Sequence, residues 1–371
     1  MNLQELTKEA IQLLKEIIAI PSPSFQEDAV CSHICQWMKE RDIEHERIGN
    51  NIVAEHICDP SKPTLMLCAH IDTVEPCEGY TFDPYKPENC PGDIVQGLGS
   101  NDDGASVVSM IAAYRYITSS DRVGLKNNPS PTYNIILVLA CEEERSGKGG
   151  MTGLWGSRIC ARKDAKEGCT PVDYAIVGEP TGMKAAIAER GLLVIDAVAE
   201  GVSGHAARNE GVNALYIAMD DIAKLRGYEF VKESPRMGKV NLNVTQINAG
   251  SAHNVIPDRC SFVIDIRPTE QYTNQEILEE LQAICKSKLT PRNLLNQSSA
   301  TFECSTLQKT ADMLGIETIS SPTTSDWMRI DCDAIKMGPG DSARSHKKDE
   351  YVTVGEICNG IKTYIDFISR L

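Results

Sequence analysis

A histidine and an aspartate close an apolar stretch of this sequence. Residues 65–72 read Leu-Met-Leu-Cys-Ala-His-Ile-Asp, so that His70 and Asp72 follow five apolar residues. An apolar run that ends in polar groups is typical of a buried parallel strand, and open α/β sheets build their sites at the carboxyl ends of such strands. A histidine followed two residues later by a carboxylate indicates a metal ligand with an orienting neighbour. A strand-end histidine bonded to a turn is the structural alternative.

The same residue types recur at other predicted strand ends and in a glycine-rich loop. They are Asp102, Glu142, Glu143, Glu144, Glu179 and His346. Three adjacent carboxylates after a buried strand repel one another and are costly to desolvate, and a bound cation would offset that cost. A solvated acidic turn is the alternative for this run. Asp103 is expected to cap the helix that follows it, whereas Asp102 is expected to be a ligand.

Two histidines and several carboxylates, without cysteine, suit a hard-to-borderline divalent metal such as zinc. Two such ions carry a charge of about +4, which three carboxylates and one hydroxide balance. Of the four candidate carboxylates Asp102, Glu143, Glu144 and Glu179, one glutamate then remains for proton transfer. The sequence therefore predicts a two-metal hydrolase site.

The elements that must position these residues fall into two patterns. Residues 1–184 and 298–371 alternate helices and apolar strands, which predicts an α/β catalytic domain with a mixed sheet flanked by helices. Residues 185–297 read β-α-β-β-α, the ferredoxin-like signature, and predict an inserted α+β lid and dimerisation domain. In this insert, the apolar spacing predicts helices over 213–225 and 274–289.

Composition narrows the class of protein. The chain has 371 residues, and its 37 basic and 52 acidic residues give a net charge of −15, which argues against nucleic acid and anionic membranes as partners. No signal peptide and no membrane span are expected. The fourteen cysteines form no Cys-x-x-Cys pair, and we expect a reducing cytoplasm rather than a disulfide framework.

The motifs resemble a known family over nearly the whole chain. In the catalytic part these are His70-Ile71-Asp72, the glycine-rich approach to Asp102, Glu142-Glu143-Glu144, Gly178-Glu179-Pro180-Thr181 and His346. In the insert they are Gly204-His205-Ala206-Ala207, Gly211-Val212-Asn213-Ala214, Asn254-Val255-Ile256-Pro257 and Asp265-Ile266-Arg267. They resemble the zinc-dependent aminoacylase/carboxypeptidase family, which includes acetylornithine deacetylases, succinyl-diaminopimelate desuccinylases and bacterial glutamate carboxypeptidases.

The resemblance implies a metal centre with two zinc ions per subunit, for which Co²⁺ is an alternative. His70 and Glu179 would bind one ion, Glu144 and His346 would bind the other, and Asp102 would bridge them.

The resemblance also implies catalytic and binding roles. Asp72 would orient His70, and Glu143 would be the general base that moves a proton from water to the leaving amine. His205 would stabilise the oxyanion, and in the family it reaches the active site of the partner subunit of a homodimer. Arg267, as a bidentate clamp, and Asn254 would hold the substrate carboxylate.

Three functions stay open at this stage. Size and the stretch that ends in His346 are most similar to acetylornithine deacetylases, so the expected substrate is N-acetyl-L-ornithine, or an N-succinyl analogue, in arginine biosynthesis. Leu98 stands where the family often has Arg, and Asp102-Asp103-Gly104 stands where the family often has Asp-x-Lys-Gly. The second variant is closer to tripeptidase and aminopeptidase relatives, so a di- or tripeptidase is the alternative. A dimeric binding protein without activity would lack a ligand or the base, and this sequence lacks neither.

Overall fold

The structure, a computed structural model, describes residues 2–87, 93–119, 133–208 and 210–371. It divides into a larger unit, Met1–Ile187 with Thr301–Ile319 and Ser325–Leu371, and a smaller unit, Ala188–Ala300 with Ser320–Thr324. The short segment Ser320–Thr324 therefore groups with the smaller unit, although the sequence pattern assigns it to the catalytic domain. The Ser320 hydroxyl donates a hydrogen bond to the Arg236 carbonyl oxygen over 2.8 Å, which ties the segment to that unit.

Helices and strands are numbered in chain order. The helices are α1 (Leu3–Ile18), α2 (Asp28–Lys39), α3 (Gly104–Thr118), α4 (Met151–Leu154), α5 (Ala214–Gly227), α6 (Asn274–Ile284), α7 (Thr306–Met313) and α8 (Val354–Arg370). The strands are β1 (Glu46–Ile48), β2 (Asn51–His56), β3 (Thr64–His70), β4 (Ile94–Gln96), β5 (Asn134–Ala140), β6 (Ile159–Ala161), β7 (Thr170–Val172), β8 (Tyr174–Val177), β9 (Ala185–Glu189), β10 (Leu193–Glu200), β11 (Gly204–His205), β12 (Asn241–Ala249), β13 (Val255–Ile256), β14 (Arg259–Arg267), β15 (Lys288–Pro291), β16 (Ser299–Ala300), β17 (Thr318–Ser321), β18 (Asp333–Lys336) and β19 (Tyr351–Thr353).

The larger unit is built on a mixed sheet with strand order β1-β2-β5-β3-β8-β18-β9. The central strands β5, β3, β8 and β18 are parallel, and β2 and β9 pair antiparallel at the flanks. Strand β3 is buried on both faces: Leu65 and Leu67 belong to the core beneath α1, α3 and α8, whereas Met66 and Cys68 belong to the opposite core. Because successive side chains of a strand point to opposite faces of the sheet, this one buried strand contributes side chains to both cores.

Parallel pairing decides where the polar strand ends meet. Because β3, β5 and β8 run in the same direction, the residues after their carboxyl ends lie along one edge of the sheet. His70 is the last residue of β3, Glu144 lies four residues after the end of β5, and Glu179 lies two residues after the end of β8. The edge is therefore where the predicted ligands converge.

The smaller unit has the element order β10-α5-β12-β14-α6-β15 and an antiparallel sheet of order β12-β14-β10-β15. Alternate residues of β10 and β14, such as Ile195 and Ile264, are buried with residues of α5 and α6. This is the ferredoxin-like arrangement. The predicted fold class, an α/β unit with a mixed sheet and an inserted α+β domain, is confirmed.

The helix predicted over 274–289 is wrong at its carboxyl end. Helix α6 ends at Ile284, and residues 288–291 form the edge strand β15. The Asp221 carboxylate ends the helix because it accepts hydrogen bonds from the backbone N–H groups of Lys286 and Ser287 at 2.7–3.0 Å and from the Ser287 hydroxyl at 2.8 Å. Asp221 belongs to α5, so the apolar pattern of residues 274–289 could not reveal these hydrogen bonds.

We expect Asp221→Asn to destabilise the smaller unit by about 1.5–3 kcal/mol, because charge-assisted hydrogen bonds to a buried carboxylate are lost. Burial raises the pKa of Asp221, but the hydrogen bonds from Lys286 and Ser287 outweigh it, and the pKa lies below its ordinary value. The stabilisation is therefore complete above about pH 4 and is lost as the pH falls through the lowered pKa.

Hydrogen exchange of peptides from α5 and α6 measures this effect at pH 7 and in acid, with the exposed neighbour change Asp220→Asn as the control. A difference between the two variants that does not shrink in acid would contradict the assignment.

Candidate metal centre

The first ligand group lies at the ends of β3 and β8. The His70 Nε2 atom is 3.3 Å from Asp102 Oδ1 and 4.0 Å from Glu179 Oε1. The candidate ligand atoms of His70, Asp102 and Glu179 all lie within 4.8 Å of one another. The three side chains are largely buried, since His70 is 3% exposed, Asp102 is 8% exposed and Glu179 is 9% exposed.

The second group shares one residue with the first. The His346 Nε2 atom is 2.9 Å from Glu144 Oε1 and 3.7 Å from Asp102 Oδ2. Ligand atoms of Asp102, Glu144 and His346 also lie within 4.8 Å of one another. Asp102 thus turns Oδ1 towards one histidine and Oδ2 towards the other, which is the geometry of a bridging carboxylate.

Asp72 connects the first histidine to the acidic turn. The His70 Nδ1 atom is 3.0 Å from the Asp72 carbonyl oxygen and 3.4 Å from Oδ1 of the same residue. The Asp72 carboxylate accepts hydrogen bonds from the backbone N–H groups of Glu143 and Glu144, at 3.0 and 3.1 Å, and from the Ser24 hydroxyl at 2.7 Å. It therefore fixes the His70 ring and the turn after β5 together.

The electrostatics of the cluster favour cations. Burial raises the pKa of Glu143, Glu144 and Glu179 above the ordinary value, and neighbouring carboxylates raise each of them further. The hydrogen bond to Glu144 raises the pKa of His346 to about 9. Crowded, partly desolvated carboxylates next to imidazoles are the donors that divalent cations bind. The residues present therefore fit a two-metal site.

Glu143 stands apart from both ligand groups. Among the described residues, the two groups use Glu144 and Glu179 but not Glu143. Its backbone is held by Asp72, and its carboxyl group is close enough to His70 and Glu179 for their charges to influence its pKa. A carboxyl group of raised pKa that belongs to neither ligand group is suited to proton transfer.

Two further carboxylates near the ligands, Asp103 and Glu350, make contacts that the sequence did not predict. Asp103 occupies the N-cap position of α3, but its side chain does not cap the helix. Its Oδ2 atom accepts a hydrogen bond from the His70 backbone N–H over 3.3 Å, so the capping prediction for this side chain is wrong. Glu350 contacts the backbone around Asp102. It lies in the charged run Lys-Lys-Asp-Glu, which carries no sequence signal for a buried role.

His205 and Asn254 lie close together in the smaller unit. Strand β11 pairs with β13, with His205 opposite Val255, and the Ala206 N–H donates to the Asn254 carbonyl oxygen over 3.0 Å. His205 is exposed, and its Nδ1 atom accepts a hydrogen bond from the Ala207 N–H over 3.2 Å. The two predicted residues thus share one short antiparallel pair.

Arg267, at the end of β14, already holds a carboxylate. Its Nε and NH2 groups donate to the two oxygens of Asp265 over 2.8 and 3.1 Å. The bidentate fork that the sequence assigns to a substrate carboxylate is therefore engaged by Asp265, two residues away on the same face of the strand. The substrate roles of Arg267, Asn254 and His205 stay predictions.

Comparisons with known proteins agree with this architecture. Residues 187–293 match the Peptidase dimerisation domain, and residues 51–184 match Peptidase family M28. An acetylornithine deacetylase of Proteus mirabilis is 27% identical over 94% of this chain and 92% of its own.

Two solved structures share the fold. Aminopeptidase PepT from Bacillus cereus has a TM-score of 0.75 at 16% identity, covering 100% of this chain and 99% of its own. The Bacillus subtilis YXEP protein, described as a dinuclear metal binding peptidase from the M20 family, has a TM-score of 0.70 at 15% identity, covering 99% of this chain and 98% of its own.

Proposed function

We propose that this chain is a hydrolase of the M20 peptidase type that removes the acyl group from an N-acylated amino acid, a proposal supported by the matched dimerisation domain and by the similarity to an acetylornithine deacetylase over nearly the whole chain. The observation that carries the proposal is the position of Asp102, which offers one oxygen to each of two ligand groups. N-acetyl-L-ornithine, or an N-succinyl analogue, is the proposed substrate, in arginine biosynthesis. The named acetylornithine deacetylase that covers nearly the whole chain supports this choice.

We propose that zinc occupies both groups, with Co²⁺ as a substitute, because imidazole and carboxylate are ligands that zinc accepts. The proposed ligands are His70 and Glu179 for one ion, Glu144 and His346 for the other, and Asp102 for both. When bound, the two ions supply Lewis acidity and make water nucleophilic at neutral pH.

The protein's own residues handle protons and charge. Glu143 takes a proton from the attacking water and gives it to the nitrogen of the leaving amine as the C–N bond breaks. Asp72 holds the backbone of Glu143 and the ring of His70, and so fixes the position of the proposed base relative to one of the proposed ligands. We assign oxyanion stabilisation to His205 and the substrate carboxylate to Arg267 and Asn254. For Arg267 this requires exchange of its partner Asp265.

A di- or tripeptidase is the second candidate. The structure of an aminopeptidase that matches the whole chain supports it, as does the Asp102-Asp103-Gly104 sequence at the shared ligand. A peptidase of this kind must recognise a free α-amino group, whereas a deacylase needs room for an acyl chain in the same place.

Parallel assays of the metal-loaded enzyme separate the two candidates. We expect N-acetyl-L-ornithine or N-succinylated amino acids to be cleaved with a higher kcat/KM than dipeptides and tripeptides. The chelated enzyme is the control and should be inactive on every substrate. Cleavage of peptides alone would overturn the deacylase proposal and leave the metal site standing.

We propose that the chain acts as a cytoplasmic homodimer through its smaller unit. The match to a dimerisation domain supports assembly. Strand β12 is an edge strand, and Tyr216 and Met219, three residues apart on α5, are 64% and 53% exposed. Unpaired strand edges and exposed apolar side chains are features of association surfaces. Within the described residues, no helix has the length and apolar character needed to span a bilayer.

Mixing two inactive variants tests whether His205 acts across subunits. Dimers of His205→Ala mixed and re-equilibrated with dimers of Glu143→Ala are expected to recover about a quarter of the wild-type activity, since half of the dimers are then mixed and each carries one complete site. Activity before and after mixing is the measurement, and each variant mixed with itself is the control. No recovery in verified mixed dimers would contradict the assignment.

A further inference from the structure

Glu350 is a buried carboxylate beside the ligands that the proposed mechanism does not use. It is 2% exposed and lies four residues after His346. Its Oε1 atom accepts hydrogen bonds from the backbone N–H groups of Asn101 and Asp102 over 2.8 and 3.0 Å. Its Oε2 atom accepts one from the Gly99 N–H over 3.1 Å. Both oxygens are thus directed at the loop that carries the shared ligand.

A second contact joins the same two loops. The Asn101 side chain accepts from the Asp341 N–H over 2.9 Å and donates to the Asp341 carbonyl oxygen over 3.1 Å. Before Asp102 and after His346, strands β4 and β19 pair antiparallel, with Gln96 opposite Tyr351. The loops of residues 97–102 and 341–350 are therefore linked at both ends and through Glu350 between them.

This arrangement parallels the role of Asp72. Asp72 accepts the N–H groups of Glu143 and Glu144, and Glu350 accepts those of Asn101 and Asp102. In each case a buried carboxylate holds the backbone of a neighbouring loop at the residues that would bind metal or carry the proton. Hydrogen bonds from several N–H groups to the two oxygens of one buried carboxyl group fix the positions of those N–H groups, so they restrict the loop.

We propose that Glu350 is a positioning residue that fixes the Asp102 backbone so that one oxygen reaches each metal. The inference rests on the proposed role of Asp102 as the shared ligand. Because Asp102 serves both ions, a looser loop weakens both sites rather than one. Groups of this kind, behind the ligands, typically affect metal affinity or activity by about 10- to 100-fold.

Glu350→Gln tests the proposal with little change of shape. The amide keeps the length of the side chain but turns an NH₂ group towards backbone N–H donors, so at least one of the three hydrogen bonds is lost. We expect apparent affinity for Zn²⁺ and Co²⁺, measured by chelator competition on metal-free protein, to fall about 10- to 100-fold. The visible spectrum of the cobalt-saturated variant should also differ from that of the wild type, since the Asp102 oxygens have moved.

Glu356→Gln is the matched control. Glu356 also accepts a backbone hydrogen bond, from the Thr353 N–H at the start of α8, and it pairs with Arg344 in the loop of residues 341–350. Neither partner belongs to the Asp102 loop of residues 97–102. This variant should keep wild-type metal affinity and the wild-type cobalt spectrum, even where it lowers the thermal midpoint. A role for Glu350 in stability alone would move the midpoint and leave the spectrum unchanged.

Asp102→Ala distinguishes a failure of the proposed metal site from a failure of the positioning role of Glu350. If Asp102→Ala loses metal and folded Glu350→Gln keeps wild-type affinity and spectrum, the positioning role is wrong and the proposed metal site stands. If Asp102→Ala retains both ions, the proposed site itself is wrong. Should Glu350→Gln not fold, Glu350→Asp carries the test, because a shorter carboxylate cannot reach all three N–H groups. Wild-type affinity and spectrum in the folded Asp variant would overturn the proposal.

Discussion

Glu143→Ala is expected to lower kcat by about 10²- to 10⁴-fold, the contribution of a positioned general base, while the protein keeps two metal ions per chain. The reason is that two adjacent residues of the turn after β5 have different roles, Glu144 as a proposed ligand and Glu143 as the proposed base. Glu144 Oε1 lies 2.9 Å from His346 and belongs to a ligand group, whereas Glu143 belongs to neither group formed by the described residues. Steady-state kinetics and metal content measured on the same sample test both halves of this expectation.

Glu142→Ala is the control for this experiment. Glu142 is in the same acidic run, but its Oε2 atom accepts a hydrogen bond from the Gly149 N–H over 2.7 Å and is directed at a neighbouring loop. This variant should retain most of the turnover. If Glu143→Ala instead loses metal as readily as Glu144→Ala does, the base assignment is wrong and Glu143 is a ligand.

Asp102→Ala is expected to release both ions and reduce activity to the level of the chelated enzyme. Each oxygen of Asp102 faces a different histidine, at 3.3 Å for His70 and 3.7 Å for His346, so one substitution removes a ligand from two sites. Glu144→Ala removes a ligand from the second group only and should leave one ion bound. Metal per chain after dialysis, measured by elemental analysis, distinguishes two, one and zero ions.

The control for these two variants is a measurement of their folded state. Circular dichroism should show that each variant keeps its secondary structure, because Asp102 and Glu144 lie in loops and not within a helix or strand. Loss of one ion in Asp102→Ala, with the second retained at wild-type affinity, would contradict a shared ligand. It would assign Asp102 to a single site.

The ligand types and the strands that carry them were predictable from the sequence. The buried strands 64–70 and 134–140 each contain an uninterrupted apolar run, at residues 65–69 and 135–140, and a histidine or an acid after such a run is easily recognised. Parallel strands then require these ends to meet, so convergence follows from fold class alone. The similarity of the motifs to a known family is borne out by the comparisons.

Contacts between segments distant in the chain were not predictable. Glu350 meets Asp102 across 248 residues, and Asp221 ends α6 from 65 residues away. The Asp103 side chain, expected to cap a helix, instead accepts a hydrogen bond from the His70 backbone N–H.

The sequence by itself therefore determined which residue types lie at the carboxyl ends of the parallel strands, because hydrophobic periodicity depends only on neighbouring residues in the chain. Only the tertiary structure decided which carboxylate is shared, which stands apart and which holds a loop in place. Those roles depend on distances of a few ångströms between residues that the chain order keeps far apart.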